Sequence, residues 1–334
     1  MPIGTAWNTV MSKQKIIIPT VKFDTNGFNQ ILKVISIITS NPKKSFDFDF
    51  SKCSRLDHHG VVLLGGISRY VNFQNSKLAR TLIRAFNGEP FATAGVMFDV
   101  NSMSELIRKN LIENNFLSHF TQSGFSGYAQ GDYIGYREHT TKLDEDNIAE
   151  HLNDQWLSDD KVKLSGALKP EIVSRIFEIF MNAYGHGTSI QALSQLGVYS
   201  CGQYDRKENT LSLSVLDFGP GIVNNVMEYN QDIETPSDAL EWALTRGNST
   251  ETDSIKKGMA RGLGFDLLSD FVKLNNGEIR VYSNKVSAKI IDGSDFTISE
   301  SEYDLPGTLV SIKINCDNKY YHFKSENTQQ TKYF

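Results

Sequence analysis

Cysteine is scarce in this chain of 334 residues. The three present, Cys53, Cys201 and Cys316, are far apart, and no Cys-x-x-Cys occurs. A disulfide scaffold and a cysteine zinc site are thereby excluded. Long apolar runs are missing as well. The longest, from Gly60 to Ile67, is far short of the about 20 residues that cross a bilayer, so no membrane partner is expected. The start, MPIGTAWNTVMSKQK, has no charged head followed by an apolar centre, so no signal peptide is expected and a cytoplasmic protein is the default. Positive charge is not in excess: 34 Lys and Arg face 39 Asp and Glu, a net charge of −5. With no basic block to neutralise phosphates, nucleic acid is not an expected partner. Repeats, low-complexity tracts and a Walker A motif are all absent.

What remains is ordinary globular material. Hydrophobic residues make up 40% and charged residues 22%, enough for a sizeable core. The length suggests about two domains of ~100–200 residues each. In the N-terminal part, 15–19 reads as a short strand and 28–39 has helical apolar spacing. Residues 45–50 (SFDFDF) alternate strictly, as a half-buried strand does. Residues 60–73 and 104–120 read as helices, and 122–135 as a Gly-, Ser- and Tyr-rich loop. The acidic stretch 141–160 carries Ile148, Leu152, Trp156 and Leu157 at helical spacing and predicts a connecting helix. A boundary near residue 145 divides the chain into 1–145, 146–316 and a polar tail, 317–334. The second part predicts a helix over 169–184 and a strand over 210–217, then a long loop. A helix over 264–275 follows, then strands over 278–283, 295–299 and 308–315. Helices segregated from antiparallel strands predict an α+β two-layer sandwich, after an α/β N-terminal module.

Four segments of the second part carry chemistry. In Glu178-Ile-Phe-Met-Asn182-Ala-Tyr-Gly-His186-Gly187, Glu178 and Asn182 are i and i+4 and share a helical face amid apolar residues. An amide oxygen suits Mg²⁺, and a nearby glutamate can take a proton. In Leu213-Ser-Val-Leu-Asp217-Phe-Gly219-Pro-Gly221, an apolar strand delivers an acceptor-only carboxylate suited to the exocyclic amine of adenine. The two glycines that follow admit close backbone approach. In Gly258-Met-Ala-Arg261-Gly262-Leu-Gly264, a glycine-rich turn enters a helix, an anion-binding arrangement, with Lys256 and Lys257 beside it. Pro306-Gly307-Thr308 is a turn entering a strand with a hydroxyl at its start. His186 reads as structural more readily than catalytic, and Trp156 and Trp242 as packing residues.

All four segments, in order over residues 165–316, resemble the N, G1, G2 and G3 boxes of the GHKL superfamily. That superfamily includes gyrase, chaperone, histidine-kinase and MutL-type ATPases. The resemblance implies a Bergerat ATP-binding fold with ATP and Mg²⁺ as cofactors. It implies Asn182 on the metal, Asp217 on adenine and Glu178 as the base. It places His186, Gly219, Gly221, Arg261, Gly262, Gly264 and Thr308 at the nucleotide, and a lid over 222–261. The N box is most similar in style to anti-sigma-factor serine kinases. The alternating strand at 45–50 followed by Leu56-Asp-His-His-Gly60 resembles a STAS domain, with His58 and His59 where such a domain carries its phosphorylated serine. Three functions stay open: an ATPase coupling lid closure to a partner or second copy, a serine/threonine kinase, and a non-catalytic ATP-dependent switch. A sensor histidine kinase is not expected: His119, in a predicted helix, is followed by Phe120.

Overall fold

In the computed structural model, described over residues 13–42, 44–85, 95–120, 132–139, 145–187, 196–245, 247–248 and 265–329, the described residues build a three-stranded, a five-stranded and a two-stranded sheet with helices packed against them. The N-terminal part alternates strand and helix: β1 (Lys13–Ile17), α1 (Thr25–Thr39), β2 (Ser45–Asp49), α2 (His58–Ala85) and β3 (Val96–Asp99). The three strands pair in parallel in the order β1-β2-β3. Parallel neighbours need crossover connections, and α1 and α2 supply them. Asp24 caps α1 by accepting from the Gly27 N–H. A short helix α3 (Glu105–Glu113), capped by Ser104, follows.

The second part is built on a five-stranded antiparallel sheet in the order β4-β6-β7-β9-β8. Its strands are β4 (Tyr133–His139), β6 (Val198–Asp205), β7 (Thr210–Asp217), β8 (Glu278–Ile290) and β9 (Thr297–Asn315). Strand alternation sends Leu211, Leu213, Val215, Val310, Ile312 and Ile314 to one face, into one core. There they meet α5 (Leu168–Gly187) and α8 (Phe265–Leu274). Ser165 sits at the start of α5, its hydroxyl accepting from the Leu168 N–H. Ahead of α5 lie α4 (Glu145–Glu150), a π-helical turn (His151–Trp156) and β5 (Lys163–Leu164). Two helices, α6 (Gly221–Tyr229) and α7 (Pro236–Leu244), lie between β7 and α8. Thr235 caps α7, with Pro236 in its first turn.

The other face of this sheet is also buried. Tyr136, Tyr199, Cys201, Leu216, Tyr282 and Leu309 belong to the core of the N-terminal part. Helix α1 packs on β9, and α2 packs on β6 and β7. The closeness rests on two glycines. A Cβ at Gly65 would strike the Tyr136 side chain, and one at Gly66 would come within 2.7 Å of both Leu216 and Phe218.

Mixed helices and sheets match the expected α/β and α+β elements, but the strands expected over 295–299 and 308–315 are one strand, β9, and four further differences stand out. Strand β4 lies before residue 145 yet pairs with β6, so the second sheet begins ahead of the expected boundary and takes in 133–135, read as loop. The connecting helix ends in a π turn. The long loop after β7 contains α6, which starts at Gly221 directly after a Gly-Pro pair. The polar tail is tied down in part: Tyr320–Tyr321, here β10, pairs with β5, and Asn275 donates to the Tyr321 hydroxyl at 3.1 Å. A two-residue strand is too short to show any periodicity. The cysteines are free and buried. No helix among the described residues is long and apolar enough to cross a membrane.

Candidate functional site

Antiparallel pairing of β7 with β9 sets Asp217 opposite Thr308. Both lie at the same end of the sheet, beside the start of α6. Helix α5 crosses above them and contributes Ile179, Asn182 and Ala183. Between these elements lies a cleft of about 430 Å³, open solvent included, which Val215, Gly221, Asn225 and Phe265 also line. Three of the four sequence segments thus meet at one place through Asn182, Asp217 with Gly221, and Thr308.

The Asp217 carboxylate is the unusual group here. Only 4% of Asp217 is exposed. Burial pushes its pKa up to about 7, against the opposing pull of backbone donors at Gly219 and Thr308. The Gly219 N–H donates to Oδ1 at 2.9 Å. The turn before β9 is moulded to the same residue: Gly307 has φ +134°, and a Cβ there would overlap the Asp217 carbonyl oxygen. Gly221 has φ +83° and packs against Ser283, Asn284 and the Gly307 carbonyl, a conformation and a space that suit glycine. The Thr308 hydroxyl accepts from the Ile222 N–H at 3.2 Å and lies 3.4 Å from the Ser283 hydroxyl. It therefore braces the first turn of α6 from the strand side. Asn284 reinforces the turn by donating to the Pro220 carbonyl at 3.1 Å.

Glu178 is not among the residues that line the cleft. It is 27% exposed, and its Oε1 lies 2.7 Å from Arg175 Nη1. Arg175 also reaches Glu171 at 3.6 Å. The helical spacing places Glu178 one turn from Asn182, but an arginine three residues earlier holds its carboxylate.

No protein-family model matches the chain, and no curated protein does.

The rest of the site rests on the geometry alone. Arg261, Gly262 and Gly264, with Lys256 and Lys257, lie outside the described residues, as does the side chain of His186. Among the described residues no group of three or more His, Cys, Asp and Glu side chains could hold a metal ion. Asn182 offers a neutral oxygen at the cleft, which suits a magnesium ion that takes its remaining ligands from phosphate and water. Sequence reasoning missed Asn225 and the apolar walls Ile179, Ile222 and Phe265. Asn225 was findable in principle, since 222, 223, 226 and 227 are apolar at helical spacing and leave it beside the cleft. His58 and His59 are buried at the start of α2, stacked on Phe23 and Phe28. Burial holds His58 down to about 3 and His59 well below the ordinary histidine value. They pack as helix-start residues.

Proposed function

We propose that the chain is a GHKL-type ATP-binding protein whose cleft takes the adenine of ATP, with a Mg²⁺ ion bound through Asn182. The single observation that supports this most is Asp217. A carboxylate buried at a strand end, on the floor of a cleft with largely apolar walls, opposes stability and calls for a ligand that donates to it. The exocyclic amine of adenine is such a donor. Ile179, Val215, Ile222 and Val310 give the base flat apolar walls and keep water from the carboxylate. Gly221 lets the base approach the backbone, and Thr308 holds the first turn of α6 in place. Asn182 lies one and a half helical turns before the end of α5, within the cleft, and would hold Mg²⁺ by its side-chain oxygen. The ion would neutralise charge on the phosphates.

On this reading the antiparallel sheet with its helical face is a Bergerat-type fold, and the N-terminal parallel sheet with α1 and α2 is a STAS-like module. The activity we favour is ATP hydrolysis coupled to a partner or a second copy, with Glu178 accepting a proton from water. Phosphotransfer to a serine or threonine would use the same carboxylate on a hydroxyl. The Glu178–Arg175 ion pair favours a second reading, a nucleotide-dependent switch without turnover until that pair opens. Equilibrium titration with ATP and GTP, followed by product analysis, separates these. ATP binding without GTP binding supports the adenine site, and equal affinities overturn it. Free phosphate, phosphoprotein or no product then distinguishes hydrolase, kinase and switch.

A further inference from the structure

A second cleft lies at the opposite end of β7, where α2 begins. Thr210, Ser212, Lys313 and Asn315 line it from the five-stranded sheet, while Lys22, Arg55 and His58 line it from the N-terminal part. It is larger than the first, about 980 Å³ with open solvent included. Its lining is rich in charge of both signs, but the two signs are not equally engaged.

Two of the three carboxylates that line it, Asp57 and Asp205, are committed to internal donors. Asp57 accepts from Arg55 Nε at 2.7 Å and from the Phe23 N–H at 2.9 Å. Asp205 accepts from the N–H groups of Lys207 and Glu208 at 3.0 and 3.1 Å, and Arg55 Nη2 lies 3.6 Å from it. Glu208 is exposed at the rim. On the donor side, Lys313 is ion-paired with Glu278. Arg55 uses only one N–H in its hydrogen bond to Asp57, and a guanidinium carries five. Lys22 is exposed, and no ion pair joins it to another described residue.

His58 is the independent observation. It is 4% exposed yet lines this cleft, and its Nε2 is buried without a hydrogen-bond partner. In the tautomer that carries its proton on Nε2, that nitrogen is a buried donor with no acceptor in the protein. Lys313 and Arg55 are the charged side chains whose fields act on the ring. An imidazole donor, a lysine, a partly used guanidinium and the N-terminus of a 28-residue helix converge here, and each of them favours negative charge.

We propose that this cleft binds the oxyanion of a small polar solute, a carboxylate or a phosphate group, between Lys22, Arg55 and His58. The site is separate from the nucleotide cleft and does not depend on the ATP reading. The test titrates the full chain with inorganic phosphate and, in a separate arm, with malonate, following the His58 imidazole by NMR and heat by calorimetry. We expect a saturable shift of the His58 resonances. Lys22→Glu, a change at an exposed side chain, raises the midpoint by about tenfold or more, the scale of a lost charge-assisted contact. His58→Phe, which keeps the ring stack on Phe23, abolishes the heat signal. A lower midpoint for phosphate assigns a phosphate group, and a lower midpoint for malonate assigns a carboxylate. No saturable shift in either arm overturns the proposal. So does a Lys22→Glu midpoint equal to that of the wild type, whether or not His58→Phe folds.

Discussion

Gly307 lies directly against the main chain of Asp217. Its φ of +134° and the position of the Asp217 carbonyl oxygen leave no room for a side chain. The turn entering β9 is therefore part of the seat of the buried carboxylate. Gly307→Ala should destabilise the fold by about 2–4 kcal/mol, because it combines backbone strain with a steric overlap. It should also weaken ATP binding by displacing Asp217. Denaturant unfolding and calorimetric titration of the same variant check both. Unchanged stability would mean that the turn relaxes and that the contact sets nothing.

Asp217 makes stability depend on pH in an unusual direction. Its folded pKa, about 7, lies above the unfolded value of 3.8, so the folded state holds the proton more tightly. Stability is full below the unfolded value, is lost as pH rises from there through about 7, and is level above. The span corresponds to about 4 kcal/mol. Asp217→Asn should therefore be more stable than the wild type at pH 8 and nearly equal to it at pH 4, as read from unfolding midpoints. The same substitution should abolish most ATP binding. Wild-type affinity for ATP should fall as pH drops from 8 to 5.5, because the amine donor prefers the ionised carboxylate. GTP should bind weaker by about 10- to 100-fold, the cost of an unpaired acceptor.

The Glu178–Arg175 ion pair separates binding from chemistry. Glu178→Gln should leave ATP affinity at or above the wild-type level while lowering single-turnover phosphate release by about 10²-fold or more. Arg175→Ala removes this ion pair and should raise the turnover rate. A drop in turnover with Arg175→Ala would show that the arginine assists rather than restrains. If the wild type binds ATP and forms no product, the switch reading replaces the hydrolase.

The two parts of the chain should not survive separation. A fragment starting at residue 145 lacks β4 and bares Tyr199, Cys201, Leu216, Phe218, Tyr282 and Leu309, all now buried in the shared core. A contiguous apolar patch of that kind promotes aggregation. We expect the fragment to aggregate or to lose cooperative unfolding in calorimetry. A monomeric fragment with a sharp transition would argue that the interface is dispensable.

The parts legible in the sequence were those with a regular apolar pattern or a strong stop. Helix α5 shows its apolar stripe, and β2 alternates without a break. The end of β7 was readable because a charged residue and two glycines interrupt an apolar run. Strand β6 was not readable. Val198 feeds one core while Tyr199 and Cys201 feed the other, so burial on both faces erased the alternation that marks a half-buried strand. Strand β4 was hidden by Gly135 and by a register shift between Ile134 and Arg137. At the Asp217 cleft the polar residues were visible as motifs, while the walls were ordinary core residues until the fold brought them together. The second cleft had no motif at all, since its lining runs from Lys22 to Asn315.

Strand β7 begins at one cleft with Thr210 and Ser212 and ends at the other with Asp217. Its eight residues make a rod of roughly 25 Å, at about 3.3 Å per residue. Hydrogen-bonded neighbours grip both of its edges, β6 on one side and β9 on the other, and packed side chains hold both of its faces. Such a rod cannot buckle or twist alone. The two clefts therefore share a single strand as a common wall, one at each of its ends.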